Sequence, residues 1–413
     1  MKCLVIGRGG RCHAIVDGLS KSNKVDKIYA APGNDGMRNL ATLVAIEETN
    51  VNEVLAFAKK EGIDLTIVGP EVALEAGMVD AFKEEGLRIF GPTKKAAQIE
   101  TSKDFAKSLM VKYGIPTANY KTFSDYEEAL AYVRHNSFPT VIKYNGLAAG
   151  KGVVIAHNLE EADKALHEML IEDIFGDSSV LIEDYLEGPE FSLMCLVNQN
   201  KVYPLPIAQD HKRAFDGDLG PNTGGMGAYS NVDIISEEDV TYAITNIMQK
   251  TANAMVMEGC PFTGLLYGGL MKTKDGIKVI EFNARFGDPE TEVVLPRIKS
   301  DLYDIFCDII DGKDIKIEIS DEYTLGVVLA SVGYPGKYEK GILIENLDNK
   351  DVTIYHMGTK LCDGKFYTAG GRVLIVVAKA ASLKEALEKA NKAAGEIKCK
   401  NLFFRHDIGH QSL

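Results

Sequence analysis

Three polar residues on alternate positions, Glu281, Asn283 and Arg285, follow an apolar run that begins at Val279. Alternate residues of a strand share one face, so a carboxylate, an amide oxygen and a guanidinium would project together. Carboxylate and amide oxygens are hard ligands, suited to a Mg²⁺ ion held between protein and nucleotide phosphates. A guanidinium beside them can grip phosphate or carboxylate with two parallel hydrogen bonds. An edge strand with one solvated polar face gives the same alternation, and spacing alone leaves both readings open.

Other stretches carry residues of matching chemistry. Gly146, Gly150 and Gly152 punctuate Asn145–Gly152, between expected strands at 139–144 and 153–156. Such a loop can fold its backbone N–H groups over phosphates. It is not a P-loop, because Lys151 precedes Gly152 and no helix follows. It is also longer than a hairpin turn requires. Lys143 would aim a cation at the same ligand. Lys103 stands in the first turn of an expected helix, 101–113, where it opposes the dipole. It reads either as a plain exposed lysine or as one kept for a ligand.

The stretch 209–230, QDHKRAFDGDLGPNTGGMGAYS, is expected to be a long ordered loop that binds a small charged substrate. It holds Asp210, His211, Lys212, Arg213, Gly224 and Gly225. His211 is a candidate base, but no Ser or Cys pattern accompanies it, so nucleophilic catalysis is not expected. Gly7-Arg8-Gly9-Gly10-Arg11 reads as a phosphate site at a helix N-terminus or as a tight packing turn. The dinucleotide fingerprint is incomplete: Cys12 takes its sixth position, and Ala31-Pro32-Gly33 stands where an acidic residue is wanted. Gly370-Gly371-Arg372 is a second phosphate anchor or a turn. The acidic run Glu183 to Glu190 lies where an adenine could find main-chain partners, and on chemistry alone it reads as an interdomain linker.

The elements that must position these residues follow from periodicity. Residues 2–100 alternate strands with helices, including 11–22, 51–61 and 74–85, which implies a parallel α/β sheet. Its ligand crevice would lie at the strand ends near Gly9, Asn34 and Glu71. A small α+β unit follows at about 117–189. Ser236 and Asp239 open a long helix through a capping box. Residues 262–283 form a hairpin that ends in the Glu281 strand, and from about 320 the chain is mainly strands. A chain of 413 residues should hold two to four domains. The net charge of −13 argues against a nucleic-acid partner. No apolar run is long enough for a membrane span. The start, MKCLVIG, does not read as a signal peptide. Seven cysteines without a CxxC pair fit reduced thiols in the cytoplasm.

With these residues in view, the chain resembles the ATP-grasp enzymes, and within them the phosphoribosylamine–glycine ligase family. The resemblance rests on GRGGRCHA, AAPGN, DLTIVGPE, GPTKKAAQIETSKDF, IKYNGLAAGKGVVIA, the 209–230 stretch, GLLYGGLM, EFNARFGDPE and GGRVL. It implies a multidomain α/β and α+β chain. An N-terminal parallel α/β (pre-ATP-grasp) domain would span 1–101. The ATP-grasp core would take 102–118 and 190–319, with a flap subdomain at 119–189 and a mainly β C-terminal domain at 320–413. The implied reaction joins glycine to 5-phosphoribosylamine through glycyl phosphate, with ATP and Mg²⁺, or Mn²⁺ as the alternative ion, in a cytoplasmic monomer. Glu281 and Asn283 would ligate the metal. Lys103 and Lys143 would hold phosphates under a flap containing Gly146, Ala149, Gly150, Lys151 and Gly152. Glu183, Tyr185 and Leu186 would meet adenine, and Glu190 the ribose. Arg285, Lys143 and His211 form the expected catalytic set. Asp210, Lys212, Arg213, Gly224, Gly225, Glu71 and Asp288 would surround the substrates, with Gly9, Gly10, Asn34 and Arg372 at the ribose phosphate. The chain departs from the family pattern at Cys12, where a glutamate is usual, and at Tyr144 and Asn145.

Overall fold

The computed structural model describes residues 1–146, 152–174, 176 and 179–413. Ala149, Gly150 and Lys151 lie outside them. Three sheets carry the candidate residues. The first is parallel, with strands in the order Thr42–Leu43, Lys27–Pro32, Lys2–Gly7, Leu65–Val68 and Ile89–Phe90. Its central strands are buried on both faces, as expected where helices cover a parallel sheet.

Local chemistry sets the helices around this sheet. Asn50 caps Val51–Glu61 through its side chain, and Gly62, at φ +65°, ends it. The single helix expected over 74–85 is instead two, Glu71–Glu75 and Met78–Glu84, separated by Gly77 at φ +86°. The first begins directly after Gly69-Pro70, which puts Glu71 at a strand end facing the crevice. The helix expected over 101–113 is present as Lys103–Lys112, and a separate helix, Lys94–Thr101, leads into it. Ser102, extended at φ −130° and ψ 105°, breaks the run and caps the second helix, so Lys103 becomes its first residue.

The second sheet is the antiparallel flap, ordered Tyr120–Phe123, Val180–Asp184, Thr140–Tyr144 and Val153–Ala156. The third is a long antiparallel sheet: Gly276–Asn283, Thr263–Thr273, Glu190–Asn198, Ala208–Asp210, Gly227–Ser230, Tyr323–Ser331, Arg372–Ala380 and Thr353–His356. The C-terminal strands therefore continue the same sheet through the pairing of Gly227–Ser230 with Tyr323–Ser331. The stretch 209–230 is not the irregular loop expected. It contributes Ala208–Asp210 and Gly227–Ser230 to that sheet, and Arg213–Phe215 pairs with Leu219–Asn222 as a hairpin. The capping box at Ser236 and Asp239 is present, and the helix it opens runs to Met257 through a π-turn at Ile244–Met248. Among the described residues no helix is long and apolar enough to cross a membrane.

Candidate active site

A cleft of about 460 Å³ collects residues from around all three sheets: Arg11 and Glu71 from helices that follow strands of the first, Lys143 and Glu183 from the flap, Glu281 and Asn283 from the third. At one end, Lys143 is almost fully buried. Its Nζ stands 3.0 Å from Glu183 Oε2 and donates to the Ile280 carbonyl at 3.0 Å. That carbonyl is available because Gly269 pairs with Glu281 and Leu270 with Val279, which leaves Ile280 as a bulge. Lys107 reaches the same Glu183 Oε2 at 3.0 Å and donates to Thr117 Oγ1 at 2.7 Å. Burial lowers the Lys107 ammonium to about 8, with Glu183 opposing. Glu183 Oε1 is buried and finds no partner among the described residues.

Lys103 Nζ donates to the Gly146 carbonyl at 2.9 Å. Asn145 Oδ1 accepts from the Asp104 N–H at 3.0 Å, and its amide donates to Ser179 Oγ at 3.0 Å. This residue, one of the departures from the family pattern, ties the flap to the helix that carries Lys103. Gly152, Tyr185, Leu186 and Glu190 complete this end.

Glu281 and Asn283 face the middle of the cleft. Burial opposes ionisation of Glu281, but Lys212, Lys143 and Lys103 outweigh it and hold the carboxyl below its usual range. Asn283 Oδ1 accepts from Arg285 at 3.2 Å. Among the described residues no group of three or more His, Cys, Asp or Glu is arranged around one point. An ionised carboxylate and one amide oxygen suit a hard divalent ion that takes its remaining ligands from phosphate and water.

At the other end, Arg285 lies between Glu71, 3.2 Å away, and Glu100, 3.0 Å away. Glu100 Oε2 also accepts the Ala284 N–H at 2.7 Å. Burial raises Glu71, yet Arg11 and Arg285 bring its carboxyl down to about 2. Asp288 Oδ1 pairs with Arg372 at 2.9 Å, while its Oδ2 accepts the Arg11 N–H at 3.3 Å in the first turn of Gly10–Ser20. Arg372 also donates to the Gly224 carbonyl at 2.7 Å. Gly225 has φ +110°, and a Cβ there would stand 2.5 Å from Pro289 Cδ, so the close approach requires glycine. Lys212 pairs with Glu190 at 2.6 Å. Burial pushes Asp210 up, with Lys212 opposing.

Several expected residues do not line the cleft. His211 is buried, and its Nε2 accepts the Gly409 N–H at 3.1 Å. Burial, then Arg405, lowers it to about 3, so it is neutral and aimed at the C-terminal tail. Arg213 lies on the hairpin and donates to the Gly220 carbonyl at 2.9 Å. The Asn34 amide is spent on the Arg8 and His356 carbonyls, at 2.6 and 2.9 Å. Gly9 and Gly10 stand at the start of Gly10–Ser20, where a Cβ on Gly10 would come within 2.3 Å of Glu292 Oε1. Cys12 is buried against Gly7 and Gly69, beneath the cleft rather than in it.

The sequence reading passed over Lys107, Glu100, Tyr267 and Glu290. Lys107 had a signal: it follows Lys103 by four residues, which places both on one helix face. The others had none, because Glu290 Oε1 meets Ser192 at 3.0 Å and Tyr267 at 2.8 Å only once three distant segments pack.

A parallel sheet, an antiparallel flap and a long antiparallel sheet around a lysine- and acid-lined cleft define the ATP-grasp class. Three sequence profiles of phosphoribosylglycinamide synthetase match the chain: the N domain over residues 1–100, the ATP-grasp (A) domain over 101–291 and the C domain over 324–411. The chain belongs to the phosphoribosylglycinamide synthetase family, whose members are ADP-forming ligases. The phosphoribosylamine–glycine ligase of Halalkalibacterium halodurans is 52% identical, over 100% of this chain and 97% of that protein. That of Streptococcus pneumoniae serotype 4 is 48% identical over 100% of both. The crystal structure of the Thermotoga maritima phosphoribosylamine–glycine ligase superposes with a TM-score of 0.88 at 32% identity, covering 99% of this chain and 100% of that one. A Campylobacter jejuni biotin carboxylase, at TM-score 0.77 and 15% identity, covers 99% of this chain and 94% of its own, and shares the fold alone.

Proposed function

We propose that this chain ligates glycine to 5-phosphoribosylamine at the expense of ATP, giving glycinamide ribonucleotide, ADP and phosphate in purine biosynthesis. The observation that carries the reading is the sequence of groups along one cleft. Lysines stand at one end, Glu281 and Asn283 in the middle, and arginines at the other. Phosphoryl transfer needs positioning and charge neutralisation more than a strong base. Lys103 and Lys143 would neutralise nucleotide phosphates. Glu183 Oε1 is an acceptor for the exocyclic amine of adenine, and Tyr185 and Leu186 offer main chain beside it. A Mg²⁺ or Mn²⁺ ion on Glu281 and Asn283 would supply Lewis-acid polarisation of the phosphates.

Arg285 would hold the glycine carboxylate in line with the transferred phosphoryl group. Glycyl phosphate and ADP result. The amine nitrogen of phosphoribosylamine then bonds to the glycyl carbonyl carbon, the C–O bond to phosphate breaks, and phosphate leaves with the amine proton. Arg372 and Asp288, which line the cleft, would meet the ribose phosphate, with Gly9 and Gly10 behind them at the start of Gly10–Ser20. The division of the chain into 1–101, 102–118 with 190–319, 119–189 and 320–413 belongs to this reading. So do a monomeric active state and a cytoplasmic location, the latter supported by cysteines that are free in the structure.

The test is ADP release with substrates omitted in turn. Release requiring both glycine and phosphoribosylamine is the expected result. Equal release with bicarbonate and no glycine would overturn the assignment in favour of a carboxylase-like ligase.

A further inference from the structure

The C-terminal tail is bound to the segment that enters the cleft at Asp210, Lys212, Thr223 and Gly224. Arg405 has no solvent exposure. Its guanidinium reaches Asp218 Oδ1 at 2.9 Å, both Asp407 oxygens at 2.8 and 2.9 Å, and the Arg213 carbonyl at 3.1 Å. Next to it, the His406 N–H donates to Asp216 at 2.7 Å and the Gly217 N–H to Asp407 at 2.8 Å. Asp216, Gly217 and Asp218 form the tip of the hairpin between Arg213–Phe215 and Leu219–Asn222. The tail therefore grips the far end of that hairpin. Its near end is closed by Thr223, whose N–H and hydroxyl both donate to the Lys212 carbonyl at 2.7 Å.

The tail also holds the strand that leads in. The Gly409 N–H donates to His211, between the two cleft residues Asp210 and Lys212. Gln209 donates to Gln411 at 3.0 Å and to the Glu190 carbonyl at 2.7 Å. Tyr229 OH bonds Gln209 and Ser412, each at 2.6 Å. Burying the Arg405 guanidinium is costly, and its carboxylate partners at the surface give fixed geometry more than net stability. Here the geometry fixed is that of Lys212 and Thr223, while neither Arg405 nor Asp407 lines the cleft.

We propose that residues 405–412 act as a strap that sets the position of the 210–224 segment, with Arg405 as a positioning residue for the acceptor side of the ligase reaction. The inference rests on the ligase reading for its assay. Glycine and amine would bind where this segment enters the cleft. The adenine end is built mainly from the flap and the helix Lys103–Lys112, and it meets the tail-bound segment only at Glu190, whose carbonyl accepts from Gln209 and whose carboxylate pairs with Lys212.

Arg405→Met and Arg405→Lys test it by steady-state kinetics against glycine, amine and ATP. Arg405→Met is expected to raise KM for glycine and amine by about tenfold or more while KM for ATP stays within about twofold. Arg405→Lys should recover part of that loss. Unchanged acceptor KM, or an equal rise for all three substrates as from general loosening, overturns the proposal. If Arg405→Met does not fold, the double variant Gln411→Ala, Ser412→Ala carries the test. It keeps the buried arginine and should show the same selective rise at about threefold. A uniform or absent effect there is equally decisive against the strap. Wild-type protein without glycine- and amine-dependent ADP release would refute the ligase reading instead, so the two failures are distinguishable.

Discussion

At the proposed nucleotide end of the cleft two lysines share one glutamate; at the proposed acceptor end three arginines, Arg11, Arg285 and Arg372, already face three carboxylates, Glu71, Glu100 and Asp288. The first arrangement leaves positive charge uncompensated among Lys103, Lys107 and Lys143, and an anion completes it. The second is neutralised before any substrate arrives, so a substrate carboxylate or phosphate must take the place of Glu71, Glu100 or Asp288 as an arginine's partner. The ends therefore differ in what a lost residue exposes. Removing a lysine weakens attraction for the nucleotide. Removing an arginine leaves buried carboxylates facing one another.

Of the two ends, breaking the neutralised one should have the larger effect. Arg285→Met is expected to lower kcat/KM for glycine by about 10²- to 10³-fold, with KM for ATP little changed. It should also weaken the protein against urea. Glu71, held to about 2 in the fold, contributes stability that is present above about 4.3 and lost as pH falls toward 2. Without Arg285 that contribution shrinks. Urea titrations of both proteins at pH 7 and pH 3 should therefore differ more at pH 7.

Lys107→Met acts on the other end and should be milder. Glu183 keeps Lys143 but loses one of its two cations, so KM for ATP should rise about tenfold with glycine KM unchanged. A selective rise in glycine KM instead would mean that the two ends are not separate.

Acid should loosen the acceptor side before it reaches the carboxylates. His13, on the helix that follows Gly9, accepts the His356 N–H at 2.9 Å from the C-terminal strand Thr353–His356. Burial lowers both imidazoles, His13 to about 4 and His356 to about 3. Their folded values lie below the unfolded value of about 6.5, so the unfolded chain binds more protons as pH drops. Stability should fall below about pH 6.5, with a limiting slope of about 1.4 kcal/mol per pH unit for each histidine, and level off under the folded values. His13→Asn should flatten part of that limb in urea titrations between pH 7 and pH 4.5. The smallest effect should come from His211→Gln. A neutral strut outside the cleft predicts kcat within about threefold and an unchanged pH profile, whereas a base would shift its limb.

Much of this arrangement was legible in the chain itself. The Glu281 strand, the flap strands at 140–144 and 153–156 and the Ser236 cap are local patterns, and local patterns survive folding. The hairpin and strands inside 209–230 were not visible, because Gly227–Ser230 is glycine-led and becomes a strand by pairing with Ala208–Asp210 and Tyr323–Ser331. Gly77 was in plain sight, but an isolated glycine in a helical pattern does not announce a break. Glu100 and Arg405 look like surface residues in sequence. Their burial depends on partners contributed by Arg285, Asp218 and Asp407.

On the proposed reading, Glu281 is the anionic metal ligand between the two ends. Glu281→Gln keeps the shape and removes the charge. Measured side by side, metal-free ADP binding should stay within about threefold of the unsubstituted protein, while Mg²⁺-supported turnover falls by about a thousandfold or more. Turnover within about tenfold of the unsubstituted protein would contradict it.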